Sequence, residues 1–199
     1  MDKKNEIINV AKELFTSLGF AKTTMTDIAN RLDASKALLY YYFEDKESIF
    51  RALAEKEQMQ FVEEMSKIIY ETTDVKSNLF EYTKRRLELL QNLITLNSLN
   101  YENYIAIKPV FRSIFGEFKM KELELVKQII NKGILADKFK AINIDDHAEL
   151  FIDILKGLRK VTFSKSSNQQ IRIIATQEYV LLSKQSAMFT EMFLNSISN

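Results

Sequence analysis

Lys36, Tyr40, Tyr41, Tyr42 and Lys46 bring two ammonium groups and three phenols into one short stretch, residues 23–47, TTMTDIANRLDASKALLYYYFEDKE. Such groups donate hydrogen bonds to phosphate oxygens, so the chemistry on offer is recognition of a polyanion rather than bond making. Leu39 and Phe43 repeat at i and i+4 and claim the buried positions, so consecutive tyrosines at 100° steps point elsewhere. Phenolic hydroxyls on phosphates explain three such residues better than a core does. Lys36 has a plain alternative as an ordinary solvated lysine. Lys46, in the first turn of its helix, opposes the macrodipole, a conflict that a phosphate there would relieve.

The elements that must position these groups are two short helices and a turn. Thr24-Met25-Thr26-Asp27 is a capping box that opens the first helix, on which Ile28, Ala29 and Leu32 share a face. Asp33-Ala34-Ser35 forms the turn, and Ser35 caps a second helix whose apolar Leu39 and Phe43 face the same core. Lys36, Tyr40 and Tyr41 lie on the other side. This is the pattern of a helix-turn-helix. A preceding helical stripe, Ile7, Ile8, Ala11, Leu14, Phe15 and Leu18, stops at Gly19 and packs beneath the pair.

The stretch resembles the DNA-binding end of the TetR family of bacterial transcriptional regulators. Thr23, Thr24, Ile28, Ala29, Ser35, Lys36, Leu39, Tyr40, Tyr42, Phe43, Lys46 and Glu47 match the family's pattern in place and spacing. Two positions depart from it: Asp33 stands where Gly is usual, and Leu38 where a small or hydroxyl residue is usual. Asp tolerates the left-handed conformation, which keeps the turn, and Leu38 offers a thymine methyl an apolar contact. The resemblance implies double-stranded operator DNA as partner, with Thr24, Thr26, Ser35, Lys36, Ala37, Leu38, Tyr40, Tyr41, Tyr42 and Lys46 as candidate contacts. It places Tyr40 near the bases and Tyr42 near the phosphate backbone.

The 199 residues are 46% hydrophobic, with 4 Gly and 1 Pro, and alternation of strand type is nowhere sustained. An all-α fold follows, divided into a helix-turn-helix domain over 1–46 and a larger helical ligand-binding and dimerisation domain over 47–199. The absence of Cys removes disulfides and thiol chemistry. No signal peptide or spanning segment is legible, so the expected compartment is the cytoplasm, without a membrane partner. The net charge is +1, and residues 1–46 hold seven Lys and Arg against seven Asp and Glu, so a DNA-binding role rests on position and not on bulk charge.

Beyond the motif, Glu44-Asp45 caps a linking helix from Lys46 that carries Ile49, Leu53, Met59 and Val62. Further helices are expected at about Lys76 to Asn97, a short one at Asn100 to Ile107, and a long one from Pro109 to Lys132 stopped by Gly133. A loop over Lys138 to Ile144 leads to a helix capped by Asn143 or Asp145 and carrying Leu150, Ile154, Leu155, Leu158 and Val161, and a last helix ends near Ile197. Phe80, Tyr82, Tyr101, Tyr104, Phe111, Phe115, Phe118 and Met120 are the material either of a ligand pocket, as the resemblance implies, or of plain core. Arg85, Arg86, Glu102 and Arg112 are charged neighbours of that region, expected to be mostly solvated.

The resemblance implies a homodimer through the last two helices, with Phe151, Ile154, Leu158, Met188 and Met192 as candidate interface residues, and a small hydrophobic or amphipathic effector. A regulator controlled by a partner protein, with no small-molecule pocket, is the alternative. Nothing supports an enzyme, since no nucleophile with its base, no phosphate loop and no spaced ligand set occurs. No cofactor or metal is implied: His147 beside Asp145 and Asp146 reads as a surface or dimer-edge residue rather than a metal ligand.

Overall fold

The described residues of the computed structural model are 2–95, 101–165 and 176–199, with side chains for all of these except 94–95, 101–112, 117, 163–165 and 176–177. Their regular elements are helices: α1 (Lys3–Leu18), α2 (Met25–Arg31), α3 (Lys36–Tyr42), α4 (Lys46–Glu71), α5 (Val75–Thr95), α6 (Tyr101–Leu135), α7 (Ile144–Lys165) and α8 (Thr176–Ile197). The fold is all-α. The chain divides into two compact units, one centred on Met1–Gln58 and Leu90–Gly116, the other on Met59–Leu89, Glu117–Gln169 and Ile174–Asn199.

Short polar side chains set most of the helix starts. Asp2 accepts from the Lys4 amide at α1, and Asp45 and Ser48 exchange side-chain and backbone bonds at α4. Asp74 Oδ1 takes the Lys76 and Ser77 amides at α5, and Asn143 Oδ1 those of Asp145 and Asp146 at α7. Lysines neutralise carbonyls at several helix ends. Lys132 Nζ donates to the Ile69 and Thr72 carbonyls behind α4, and Lys140 Nζ to Ser196 near the end of α8.

In the first unit Ile7, Ile8, Ala11 and Phe15 of α1 are buried, as the stripe requires, but Leu18 is exposed. Its place is taken by Phe20, which turns back after Gly19 (φ 84°) and meets Phe15 and Phe50 at centroid distances of 5.3 and 5.5 Å. This aromatic triangle ties α1 and the segment after it to α4. On α4, Ile49 and Leu53 of the first unit are buried as expected, whereas in the second unit Met59 is exposed and the inward positions are Phe61, Met65 and Ile69.

One helix replaces two in the middle of the chain. The expected break before Pro109 does not occur, because a proline inside a long helix removes one amide donor while the turns on either side keep theirs. Gly133 does not stop α6 either. The helix ends at a left-handed Asp137 (φ 53°), with the Lys138 amide on the Gly133 carbonyl at 2.9 Å and the Asp137 amide on that of Ile134 at 3.0 Å. Phe139 then folds back over Gly133, and Lys140 pairs with Ile197 so that the loop and the chain's end form an isolated antiparallel bridge, Phe139 to Ser198.

The second unit is organised on aromatic rings. Phe61 meets Tyr82 and Phe118, each at 5.8 Å, and Phe151 contacts Tyr82, Phe189 and Phe193 at 6.2, 5.3 and 4.8 Å. A polar cluster lies among them. Tyr82 donates to Glu122 Oε1 at 3.2 Å, and Arg86 Nε donates to the same oxygen. Burial, followed by the negative charge of Glu122, raises the Tyr82 pKa well above the usual phenol value. Burial works against the Arg86 charge, but Glu122 more than restores it, so that guanidinium stays protonated.

Candidate nucleic-acid interface

Local chemistry fixes the two helices. Thr24 Oγ1 accepts the Asp27 amide at 3.1 Å while the Asp27 carboxylate takes the Thr24 amide at 2.9 Å and its hydroxyl at 2.7 Å. Those bonds, the hydroxyl first, hold the Asp27 pKa below the usual carboxylate value. At the turn, Asp33 adopts φ 50°, with the Ala34 amide on the Ala29 carbonyl at 3.0 Å and the Asp33 amide on that of Asn30 at 3.2 Å. This is the double bond of a left-handed helix terminus, with Asp doing what Gly usually does. Ser35 Oγ then receives the Leu38 amide at 3.2 Å and opens α3.

With Ile28, Ala29, Leu39 and Phe43 buried, the other face of α3 is left outward. Ser35, Lys36 and Ala37 are exposed and Leu38 is half-buried. Tyr40 is 54% and Tyr41 81% exposed, a large outlay of aromatic surface for a short helix. Tyr42 is half-buried and meets the edge of Tyr41 at 5.1 Å. Thr26 is half-buried on α2. Thr24 differs from its neighbours, since its hydroxyl proton is committed to Asp27 and its role is to cap.

The Lys46 ammonium is engaged by the protein itself. Nζ donates to the carbonyls of Phe20 at 2.9 Å, Ala21 at 3.1 Å and Thr23 at 3.1 Å, and lies 4.7 Å from the centroid of the Phe20 ring. Partial burial lowers its pKa from the usual lysine value, with Glu47 opposing. The conflict with the α4 dipole is relieved by protein carbonyls. Sequence offers only the conflict itself as a clue, because the acceptors lie 23 to 26 residues away.

The candidate pocket residues do not share one environment. Tyr82 and Phe118 are buried and Phe115 is half-buried, but Phe80 is exposed and Met120 is 70% exposed, so these last two are surface residues. The side chains of Tyr101, Tyr104 and Phe111, and of Glu102 and Arg112, lie outside the described residues. Arg86, one of four charged residues expected to be mostly solvated, is buried against Glu122. Glu122 itself was open to detection, since it sits in the apolar stripe Phe118, Leu125, Val126 and Ile129. Its Oε2 and both polar atoms of the Asn78 amide are buried without a hydrogen-bond partner among the described residues.

Of the candidate dimer residues, Phe151 is corrected to intramolecular core, stacked on Phe189. Ile154 and Leu158 are half-buried, and Met188 and Met192 are exposed. His147 Nδ1 lies 2.7 Å from the Asn143 carbonyl, and no group of three or more metal-binding side chains occurs among the described residues. No described helix is long and apolar enough to cross a membrane.

Comparison with known proteins agrees with this geometry. Residues 7–53 match the model of the tetR family of bacterial regulatory proteins. A transcriptional regulator from Cytophaga hutchinsonii is 36% identical, superposes with a TM-score of 0.89 and is covered over 100% of both chains. The HTH-type transcriptional regulator QacR of Staphylococcus aureus is 25% identical over 100% of both chains. IcaR of the same species, a negative regulator of a biofilm operon, is 45% identical over 47 residues, which is 24% of this chain and 25% of that one. Two capped helices joined by a left-handed Asp33, an outward face of lysine and tyrosines, and these relatives converge: the chain belongs to the tetR family and is a helix-turn-helix DNA-binding transcriptional regulator, not an enzyme.

Proposed function

We propose that the protein is a homodimeric repressor that reads a palindromic operator with Ser35, Lys36, Ala37, Leu38, Tyr40, Tyr41 and Tyr42, and releases it on binding a small hydrophobic or amphipathic effector. The observation that carries the dimer is the outer face of α7 and α8. Leu150, Val161, Met188 and Met192 are exposed, with Ile154 and Leu158 half-covered between them, although Phe151 and Leu155 already fill the inner face. A second copy is its occupant. One helix-turn-helix reads only a short half-site, and a two-fold pair reaches successive major grooves roughly 34 Å apart. The DNA-reading part comprises residues 1–46, and the rest serves pairing and effector binding.

The effector reading is supported by the unpartnered Glu122 Oε2, whose carboxylate meets the Tyr82 hydroxyl, and by the unpartnered Asn78 amide on the same helix as Tyr82, which offer acceptors and a donor to a bound molecule. Repression is supported by IcaR, described as a negative regulator. Fluorescence anisotropy against the promoter DNA flanking the gene and a scrambled duplex, with sedimentation of the same samples, tests the proposal. A dimer preferring the promoter by about a thousandfold is expected. A protein that stays monomeric while saturating the duplex would overturn the pairing. An effector must weaken operator binding by the factor by which operator weakens effector binding, and a ligand without that coupling is not one.

A further inference from the structure

Every donor of the Lys46 ammonium is spoken for within the protein. An ammonium has three N–H donors and no acceptor, and three carbonyls stand within 3.1 Å of Nζ. None is left for a phosphate oxygen. The three acceptors belong to the connection between α1 and α2, whose carbonyl dipoles converge on one point and would repel one another without a cation there. Phe20, whose ring supports Nζ from one side, is itself part of the aromatic triangle with Phe15 and Phe50.

The last residue of the connection leads directly into the reading head. Thr23 is buried and its hydroxyl donates to the Gly19 carbonyl at 2.8 Å, so the backbone that Lys46 grips at Thr23 is held at both ends. Thr24, next in the chain, makes the capping box that starts α2. Lys46 itself is the first residue of α4, three residues after Phe43, the buried residue that closes α3. The clamp therefore joins the beginning of α2 to the segment just past the end of α3.

We infer that Lys46 is a positioning residue: it binds no DNA, and by tying the α1–α2 connection to the head of α4 it fixes the pose in which α2 and α3 meet the duplex. A phosphate contact at this position would add affinity for every duplex equally. Positioning acts instead on specific affinity, because a misplaced α3 still meets the phosphate field but misses base edges. The difference between the two roles is measurable.

Two variants separate them. Lys46→Met keeps the aliphatic stem and removes the donors; Lys46→Arg keeps the charge, but a planar fork cannot aim three N–H bonds from one atom at three converging carbonyls. Affinity is read by anisotropy over a salt series, on a duplex that the wild-type protein selects from a randomised library and on a scrambled duplex. Hydrogen exchange of the free protein is followed across residues 20–27. Both variants are expected to lose at least about tenfold on the selected duplex, to match wild type on the scrambled one, to keep the wild-type slope of log K against log salt, and to exchange faster over 20–27. Retained affinity in Lys46→Arg, together with a slope about one unit flatter in Lys46→Met, would make Lys46 a phosphate ligand and overturn the inference. Wild-type affinity for both duplexes in both variants, with only a lower melting temperature, would reduce the clamp to stability and overturn it equally.

Discussion

Gly133 and Phe139 lie so close that a β-carbon on the glycine would stand 2.0 Å from Cδ2 of the ring. The ring is fully packed there, clamped by the turn that ends α6 and by the bridge to Ser198, so it has no free direction in which to move. Gly133→Ala is therefore expected to destabilise the protein by at least about 1–3 kcal/mol, the usual cost of overpacking. Gly116, with nothing within 4 Å, is the control: Gly116→Ala removes helix-interior flexibility and should stabilise by about 0.5–1 kcal/mol. Chemical denaturation of the two variants checks the pair, and equal effects would refute the steric account.

The buried pair of Arg86 and Glu122 makes a different kind of prediction. Each partner is nearly inaccessible to solvent, so Glu122→Ala leaves a guanidinium stranded, and a loss of about 3–5 kcal/mol is expected. Arg86→Met with Glu122→Leu removes both charges and should recover most of that loss. A double-mutant cycle by urea denaturation measures it. If the double variant is as unstable as the single one, packing and not the charge pair is what the site supplies.

The parts of the fold differ in how far they could be read from the chain alone. The capping box of Thr24 and Asp27, the Ser35 cap and the left-handed Asp33 are legible because every partner lies within a few residues, where side-chain reach follows from helix geometry. Gly133 looks like a helix stop in one dimension, and its actual reason is a ring that folds back over it. Lys46 shows its electrostatic conflict but not the carbonyls that resolve it, which arrive through the packing of α1 against α4. On α7 the periodicity allows two apolar faces, and only the fold assigns Phe151 and Leu155 to the core and Leu150 and Val161 to the outside.

The cap of α2 should be sensitive to acid. Hydrogen bonds from Thr24 depress the Asp27 pKa in the folded protein, so this carboxylate contributes stability above its unfolded pKa and loses it as pH falls through the depressed folded value. Asp27→Asn removes the titration: its stability relative to wild type should be lower at neutral pH and converge as the solution becomes strongly acidic. Urea denaturation across that range reads the effect. A difference between the two proteins that stays constant with pH would mean that the Asp27 charge does not matter to the cap.

Lys36 and Tyr40 should divide the work of the exposed α3 face. Lys36 is exposed at the first turn of α3 with no ion pair among the described residues, so its ammonium is available to a phosphate. Lys36→Ala is expected to weaken binding to all duplexes and to flatten the slope of log K against log salt by about one unit. Tyr40→Phe keeps the ring and removes one hydroxyl. It should leave the slope intact and cost roughly 1 kcal/mol on the selected operator alone, as a lost hydrogen bond to a base edge would. The same salt series run on selected and scrambled duplexes distinguishes the residues. A flattened slope for Tyr40→Phe would place that hydroxyl on the phosphate backbone, and an unchanged slope for Lys36→Ala would remove Lys36 from the contact set and leave the tyrosines to carry α3 onto the duplex.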